Sequence, residues 1–468
     1  MRRLLLSLAV AGTLAVPAVA QTPTDTLHLT LDQAVQRALE RSFAMRLARA
    51  DVLDADGQVR EAFSAALPQV TGTLTYTRQF ASIYKGLGGT DTSSLGDLFK
   101  NTPFGAPNAW NLQIQATQTL WSGGKVGSGL SAARAARNIA ALGASETTAE
   151  VGFQVKQAYW NAALQSRLLE IASQNLDQAR AQLRQVQLFR QAGTRAEYDL
   201  LRAQVDAANQ EPAVVAARND LDLAVLELKR LLDLPADQPL ELATPLESPE
   251  ATIPVVATDS IGGPDRPALA QAEATVRQQK ELLDVARADR WPTLSVATTY
   301  NEQAFPQSVF PSTVDQFRRG WNGEVKLSFP IFLGFRTGAR VEQARAALQR
   351  AEAQRDQVHK QVELDVARAR AEVARAQALL AARRETVRQA DRALHIAGVR
   401  YTNGISTQLE VSDARVAAQQ SQVNEVQATR DYVVALARLE RALGRTVPVV
   451  QQPITPIAQS LNPEETRP

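Results

Sequence analysis

The amino-acid sequence contains one long segment twice. Residues 110–232 align with residues 321–443 without a gap, at a constant offset of 211 residues. The alignment places identical residues on one another: Trp110 on Trp321, Gly193 on Gly404, Ala203 on Ala414. A gapless match of this length indicates an internal duplication, so the chain is expected to fold as two copies of one supersecondary unit.

Each copy is predicted to run helix, strand, loop, strand, very long helix, tight turn and long helix. In the first repeat, residues 21–232, the strands are predicted at about 70–80 and 110–120, and the last two helices at about 126–188 and 195–232. In the second repeat, residues 268–446, the corresponding elements are strands at about 294–301 and 321–329 and helices at about 340–398 and 407–443. The loops between paired strands span Ala81 to Ala109 and Glu302 to Gly320.

The segments outside the repeats are poor in periodicity. Residues 233–267 hold seven prolines, which predicts a linker or a small irregular segment. Residues 447–468 are predicted to form a flexible tail.

The predicted strands alternate polar and apolar side chains with a period of two. In the first strand the polar face is Thr71, Thr73, Thr75 and Thr77, and the other face carries Leu74, Tyr76 and Phe80. The last strand alternates Trp321, Val325, Leu327 and Phe329 with Asn322, Glu324, Lys326 and Ser328. Four such strands fit a transmembrane β-barrel with a wet interior, and a small soluble sandwich is the alternative. Four strands cannot enclose water, so a barrel requires several chains.

The long helices are the larger signal. Neither 126–188 nor 340–398 contains proline, and about 60 residues of helix extend about 90 Å at 1.5 Å per residue. Apolar residues at 4-3 spacing form a seam in the second copy: Val362, Val366, Ala369, Val373, Ala376, Leu380, Val387, Ala390, Leu394, Ala397. The first copy has a shorter seam: Leu169, Ala172, Leu176, Ala179, Leu183, Val186. Alternation of alanine with larger residues predicts close helix packing of the coiled-coil type.

The N-terminus predicts export. Arg2 and Arg3 precede an apolar run and the tripeptide Ala18-Val19-Ala20, so residues 1–20 are predicted to be a signal peptide. The chain has no cysteine, which excludes disulfides, thiolate metal sites and a lipidated cysteine. Without the leader, 49 basic residues balance 49 acidic residues, so no basic surface for nucleic acid is expected.

The chain holds no constellation typical of an enzyme. Its histidines, His28, His359 and His395, are far apart in sequence, and neither a zinc-protease motif nor a nucleophile elbow is present. We therefore expect no catalytic residues, no cofactor and no metal site.

These features together resemble the TolC-like outer-membrane efflux proteins, from about Leu29 to Gly444. The resemblance rests on the duplicated plan and on Ala66-Leu67-Pro68-Gln69-Val70 and Arg290-Trp291-Pro292-Thr293-Leu294, which enter the strands. Its most specific part is residues 400–415, RYTNGISTQLEVSDAR, which is similar to the family's periplasmic tip.

The resemblance implies a mainly α fold with a transmembrane β-barrel. Three chains would form a 12-stranded barrel, continued by a long α-helical periplasmic barrel. The function implied is the exit duct of a tripartite efflux or type I secretion system in the outer membrane, passive and gated at its periplasmic tip. Its partners would be two further copies of the chain, outer-membrane lipid, a periplasmic adaptor protein and an inner-membrane pump.

Two glycines are predicted to form the turns at this tip. Gly193 and Gly404 can adopt the left-handed conformation that ends a helix. Residues 194–197 and 407–410 then fit capping boxes that begin the returning helices, with Thr194 and Thr407 as the N-cap residues.

By resemblance, the gate acids correspond to Asp199, Glu410 and Asp413. Rings of such acids, repeated by threefold symmetry, would select cations, although capping alone would suffice to explain Glu410. Arg195 and Arg202 stand where the second copy has Ser406 and Asp413, and they are candidates to pair with acids of a neighbouring helix.

One rival interpretation remains open. A periplasmic coiled-coil adaptor or scaffold that conducts nothing would share the leader and the heptads. It would have no need of paired amphipathic strands of membrane-spanning length.

Overall fold

The computed structural model describes residues 26–81, 106–193, 196–246 and 266–444. The predicted signal peptide and tail, most of the first long loop, and Arg195 lie outside the described residues. The chain divides into two units. The turn unit comprises Met1–Ala38, Val155–Thr252 and Thr386–Arg430, and the sheet unit comprises Leu39–Gln154, Ile253–Glu385 and Asp431–Pro468.

Seven α-helices are described. They are α1 (Leu31–Arg41), α2 (Phe43–Ser64), α3 (Lys125–Gln191), α4 (Glu197–Leu231), α5 (Pro267–Ala288), α6 (Arg336–Thr402) and α7 (Gln408–Ala442). Among the described residues, no helix has both the length and the apolar character needed to cross a membrane.

Six strands are described as well. They are β1 (Leu27–Leu29), β2 (Gln69–Arg78), β3 (Asn108–Trp121), β4 (Leu240–Leu242), β5 (Thr293–Ala304) and β6 (Arg318–Ser328).

The duplication is visible in the backbone. Helices α3 and α6 each have 67 residues, α4 and α7 each have 35, and each second-copy helix begins 211 residues after its counterpart. The described residues with a left-handed φ also form pairs at this offset: Gly123 with Gly334, Gly124 with Phe335, Gly193 with Gly404, Asp233 with Gly444. Both copies therefore adopt the left-handed conformation at the same four positions, which lie in three turns.

In the sheet unit, four antiparallel strands pair in the order β2-β3-β5-β6. One row across the sheet is polar, with Thr71, Gln115, Thr299 and Asn322 aligned. The adjacent row aligns Gly72, Ile114, Tyr300 and Trp321. Because side chains alternate between the two faces, the sheet has one largely polar face and one largely apolar face, as the sequence predicts.

The strand boundaries need two corrections. Strand β2 ends at Arg78 and β6 ends at Ser328, so Phe80 and Phe329 lie outside the strands that we assigned to them. Strands β5 and β6 also extend into the second predicted loop, which shortens that loop to residues 305–317.

Small and medium apolar residues join α6 to α7 within the sheet unit. Val373 and Ala376 pack against Ala435 and Leu436. Further along, Val366 and Ala369 contact Ala442. The predicted seam supplies these contacts: its first six positions are buried, and the four from Val387 onward are half-buried.

In the turn unit, Tyr159 of α3 joins two short strands that the sequence did not predict. Strands β1 and β4 pair in parallel, so the proline-rich segment 233–267, interpreted as a linker, supplies a strand at residues 240–242. The fully buried Tyr159 hydroxyl donates to the Leu29 carbonyl at 3.0 Å and accepts from the Thr244 amide at 2.8 Å. One phenol therefore satisfies backbone groups at the ends of both strands.

We expect Tyr159→Phe to destabilise this small sheet. The change leaves the buried Thr244 amide without its partner, which costs about 1–3 kcal/mol. The Leu29 carbonyl loses one of two bonds and keeps the bond from the Ala243 amide at 2.9 Å. Hydrogen exchange at residues 240–246 should accelerate. Tyr198→Phe, at an exposed tyrosine, is the matched control, and unchanged exchange at Thr244 in Tyr159→Phe would contradict the role of the hydroxyl.

Candidate functional site

A complete Schellman motif ends α6. Gly404 has φ +73°, its amide donates to the Tyr401 carbonyl at 3.0 Å, and the Ile405 amide donates to the Arg400 carbonyl at 2.9 Å. The side chain of Asn403 adds a bond from Nδ2 to the Val399 carbonyl at 2.8 Å. These bonds satisfy carbonyls that would otherwise lack a partner at the helix C-terminus, so the turn position is well defined.

The turn after α3 begins in the same way. Gly193 has φ +70°, and its amide donates to the Arg190 carbonyl at 2.9 Å. The capping box predicted here is wrong, because α4 begins at Glu197 with Ala196, not Thr194, as its N-cap residue. Ala196 has no side-chain oxygen that could accept a hydrogen bond from a backbone amide. Glu197 and Asp199 instead place two carboxylates in the first turn, where the helix dipole favours negative charge.

The second capping box is half formed. The Glu410 amide donates to Oγ1 of Thr407 at 3.4 Å, at the start of α7. The Glu410 carboxylate instead lies 3.7 Å from Nη1 of Arg400, on the other side of the turn. At the first turn Arg190 and Glu197 form the same kind of pair at 3.6 Å. Both pairs are solvent-exposed, so each adds little to stability.

The predicted gate residues have different surroundings. Asp199 is half-buried and Asp413 is exposed, and no hydrogen bond or ion pair to either carboxylate occurs within the described part of the chain. Arg202 is half-buried and donates from Nη1 to the hydroxyl of Tyr198 at 3.4 Å. Among the described residues, Asp199 and Asp413 thus have no cationic partner, while Glu410 has Arg400.

A partly buried ion pair that sequence analysis missed joins α4 to α7. Oδ2 of Asp206 accepts from Nη2 of Arg415 at 3.0 Å and from the Ser412 hydroxyl at 2.9 Å. The side chains of Arg415 and Asp206 are only 11% and 22% exposed. The available signal was a break in the repeat, since Asp206 matches Ala417 and Arg415 matches Gln204. This pair fixes α7 against α4 next to Asp413.

Aromatic side chains cluster at both ends of the four-stranded sheet. At one end the ring of Trp110 lies 4.9 Å from Tyr76 and 5.6 Å from Phe310, and the indole donates to the Val309 carbonyl at 2.8 Å. At the other end Trp121 meets Trp291 edge to face at 6.4 Å. Two aromatic bands flanking an apolar sheet face are typical of outer-membrane barrels.

Asp289, two residues before Trp291, binds two cations. Nζ of Lys125 lies 2.7 Å from Oδ1, and Nη1 of Arg340 lies 3.1 Å from Oδ2. The hydrogen bond from Lys125, reinforced by the Arg340 guanidinium, holds the pKa of Asp289 below its usual range. The aspartate thus connects the starts of α3 and α6 to the end of α5.

Comparison with known proteins assigns this architecture to a class, the outer-membrane efflux channels. The family model for outer membrane efflux protein matches residues 34–233 and 265–445. The chain belongs to the outer membrane efflux protein family.

Solved structures share the fold. The chain superposes on CusC with a TM-score of 0.74 at 19% identity, covering 88% of this chain and 92% of CusC. It superposes on VceC of Vibrio cholerae with a TM-score of 0.71 at 20% identity, covering 88% and 96% of the two chains. MtrE of Neisseria gonorrhoeae, described in its open state, gives 0.70 at 20% identity with 88% of each chain covered.

Two relatives are similar in sequence. Protein CyaE of Bordetella pertussis is 27% identical over 360 residues, which cover 76% of this chain and 72% of CyaE. Fusaric acid resistance protein FusA of Burkholderia cepacia is 24% identical over 309 residues, 64% of this chain. The matched region spans only 55% of FusA.

We expect a double-mutant cycle to show strong coupling between Asp206 and Arg415. Asp206→Ala or Arg415→Ala alone leaves one largely buried charge without its partner, and each should destabilise the protein by about 1–3 kcal/mol. The double variant should lower the free energy of unfolding by clearly less than the sum of the two single variants. Thermal or chemical unfolding in detergent measures the cycle.

The exposed pair Arg180 and Glu211, a 2.8 Å contact between α3 and α4, is the matched control. Its side chains are 48% and 58% exposed, so its coupling should stay below about 0.5 kcal/mol. Equal coupling in the two cycles would contradict a special role for burial at Asp206.

Asp289 should make stability depend on pH. Because its pKa is lowered in the folded state, its contribution is present above the unfolded carboxyl pKa of about 4 and is lost as pH falls through the lowered value. Asp289→Asn should therefore melt at a lower temperature than wild type at neutral pH, and the difference should shrink in acid. A difference that is constant with pH would contradict this origin.

Proposed function

We propose that this chain is one subunit of a trimeric outer-membrane channel that serves as the exit duct of a tripartite efflux or type I secretion system. The four-stranded sheet carries the proposal, because it has one apolar face and one polar face, and its edges β2 and β6 are unpaired within the part of the chain that the structure describes. Paired edge to edge, three such sheets give 12 strands, enough to enclose a lumen.

The polar face suits the wall of an aqueous path. Its rows hold threonine, glutamine and asparagine side chains, with Glu324 and Lys326 on β6. Neutral hydrogen-bonding groups keep a pore hydrated and do not bind one class of solute selectively. We propose that the duct is passive, has no enzymatic activity, and receives its energy from an inner-membrane pump through a periplasmic adaptor.

We propose that the helical turns form the gate. Asp199 and Asp413 lie in the first two turns of α4 and α7, and threefold symmetry would place each acid in a ring. Such rings attract cations. Arg202, and Arg195 outside the described residues, would pair with acids of adjacent helices when the gate is closed.

The apolar sheet face disfavours the adaptor alternative. A periplasmic scaffold would leave Val70, Leu74, Val325 and Leu327, which are all exposed in the single chain, in contact with water. Lipid removes that cost. The relative FusA is named for resistance to fusaric acid, so a small organic acid is the class of cargo that we propose to test first.

Single-channel recording in a planar bilayer tests this function. The purified protein should give cation-selective currents, and Asp413→Asn should reduce the ratio of cation to anion permeability because it removes the charge of one ring. The matched control is Asp220→Asn, which makes the same change at an exposed position of α4 that is far from the turn at Gly193.

The outcomes separate two claims. Currents with unchanged selectivity in Asp413→Asn would keep the channel and reject the acid ring. A protein that extracts without detergent and never conducts would reject the channel and favour the adaptor.

A further inference from the structure

An apolar segment follows β6 in the sheet unit and lies open to solvent. We name as the apolar collar the residues Phe329, Ile331, Phe332, Leu333 and Phe335. Ile331 is 95% exposed and Phe335 is 84% exposed, and the other three side chains are exposed as well. Contiguous apolar surface of this kind marks an interaction site in most proteins.

One residue of the apolar collar adopts an unfavourable backbone conformation. Phe335 has φ +63°, in the left-handed region that bulky side chains rarely occupy. The equivalent position in the first copy is Gly124, with φ +87°, so the fold accepts glycine there. The Phe335 ring packs edge to face on Phe332 at 5.7 Å. Strain held at an exposed aromatic residue indicates a function other than folding.

The apolar collar extends the apolar face of the sheet. Trp321, Val325 and Leu327 occupy alternate positions on β6, and all are exposed. Phe329 and Ile331 continue the same odd-numbered spacing beyond the strand. The Trp121–Trp291 pair belongs to this end of the sheet, since Trp121 pairs with Leu294, which pairs with Leu327.

Cationic side chains lie directly after the apolar collar. The amide of Arg336 closes a turn onto the Leu333 carbonyl at 3.2 Å, and the Arg336 side chain is exposed. One turn later lies Arg340, and both Arg340 and Lys125 form ion pairs with Asp289. Aromatic residues followed at once by exposed arginine match a membrane interface, where rings enter the headgroup boundary and cations meet lipid phosphates.

We infer that the apolar collar is a lipid anchor, which inserts into the leaflet of the outer membrane on the side where α3 and α6 begin. This inference rests on the proposed function, because it takes the sheet to lie in lipid. The first copy has Gln118, Leu120, Trp121, Ser122 and Gly124 at the equivalent positions, so each chain would have one strong anchor and one weaker one.

The absence of cysteine makes a direct test possible. A single cysteine replaces Ile331, carries a nitroxide label, and is studied by electron paramagnetic resonance in vesicles of phosphatidylethanolamine and phosphatidylglycerol. Frequent collisions of the label with dissolved oxygen indicate that the label lies in lipid. Frequent collisions with a water-soluble nickel chelate indicate that it lies in water. Val325→Cys, in the middle of β6, reports separately whether the sheet lies in lipid.

Labels at both positions should collide with oxygen and be shielded from nickel. If the label at 325 is in lipid and the label at 331 is in water, the anchor is rejected and the proposed channel stands. If the label at 325 collides with nickel, the proposed membrane sheet itself fails. A label at 331 shielded from both reagents would show that a second copy covers the apolar collar, which also overturns the lipid anchor.

A second variant separates anchoring from folding. Phe335→Gly restores the first-copy residue and removes the strain, so the protein should remain folded in detergent. Combined with Phe332→Ser, it should shift the label at 331 toward nickel-accessible values in vesicles. An unchanged label depth in the combined variant would show that the two rings do not hold the segment in lipid.

Discussion

The unpaired edges of the four-stranded sheet are the constraint on which the rest of the structure depends. Among the described residues, strands β2 and β6 each have one edge without a partner. In hydrocarbon no water satisfies those amides and carbonyls, and each unsatisfied group costs several kcal/mol. A sheet with an apolar face can therefore enter a membrane only if other copies of the chain complete its pairing. Oligomerisation is thus a condition for insertion, and the polar face becomes a lumen as a consequence.

Duplication supplies the geometry, and differences between the copies supply the specific chemistry. The paired helix lengths and the four pairs of left-handed residues show that both copies follow one backbone plan. At the turns, however, Asp413 aligns with Arg202 in the sequence, and the partly buried Asp206–Arg415 pair has no equivalent in the other copy. At the sheet, Phe335 replaces a glycine. Lipid contact is assigned to a position where the copies differ in size, and one gate acid, Asp413, to a position where they differ in charge. The other gate acids, Asp199 and Glu410, occupy equivalent positions and are acidic in both copies.

Sequence reasoning succeeded where a pattern repeats over many residues. The offset of 211 residues, the period-two strands and the 4-3 helix seam each sum weak signals over a long stretch, so tertiary contacts did not override them. It failed for β1 and β4, because three-residue strands have no measurable period and pair across more than 200 residues. It failed at Thr194, because a capping motif does not fix which residue starts the helix. The Asp206–Arg415 pair was missed because helix periodicity does not state which charged faces meet.

Counting the chains in the assembled particle tests the central claim most directly. Cryo-electron microscopy of detergent-extracted protein, with native mass spectrometry for the mass, should show three chains and a closed barrel of 12 strands in which β6 of one chain pairs with β2 of the next. A monomer, or an assembly whose β2 and β6 edges remain unpaired, would contradict the account.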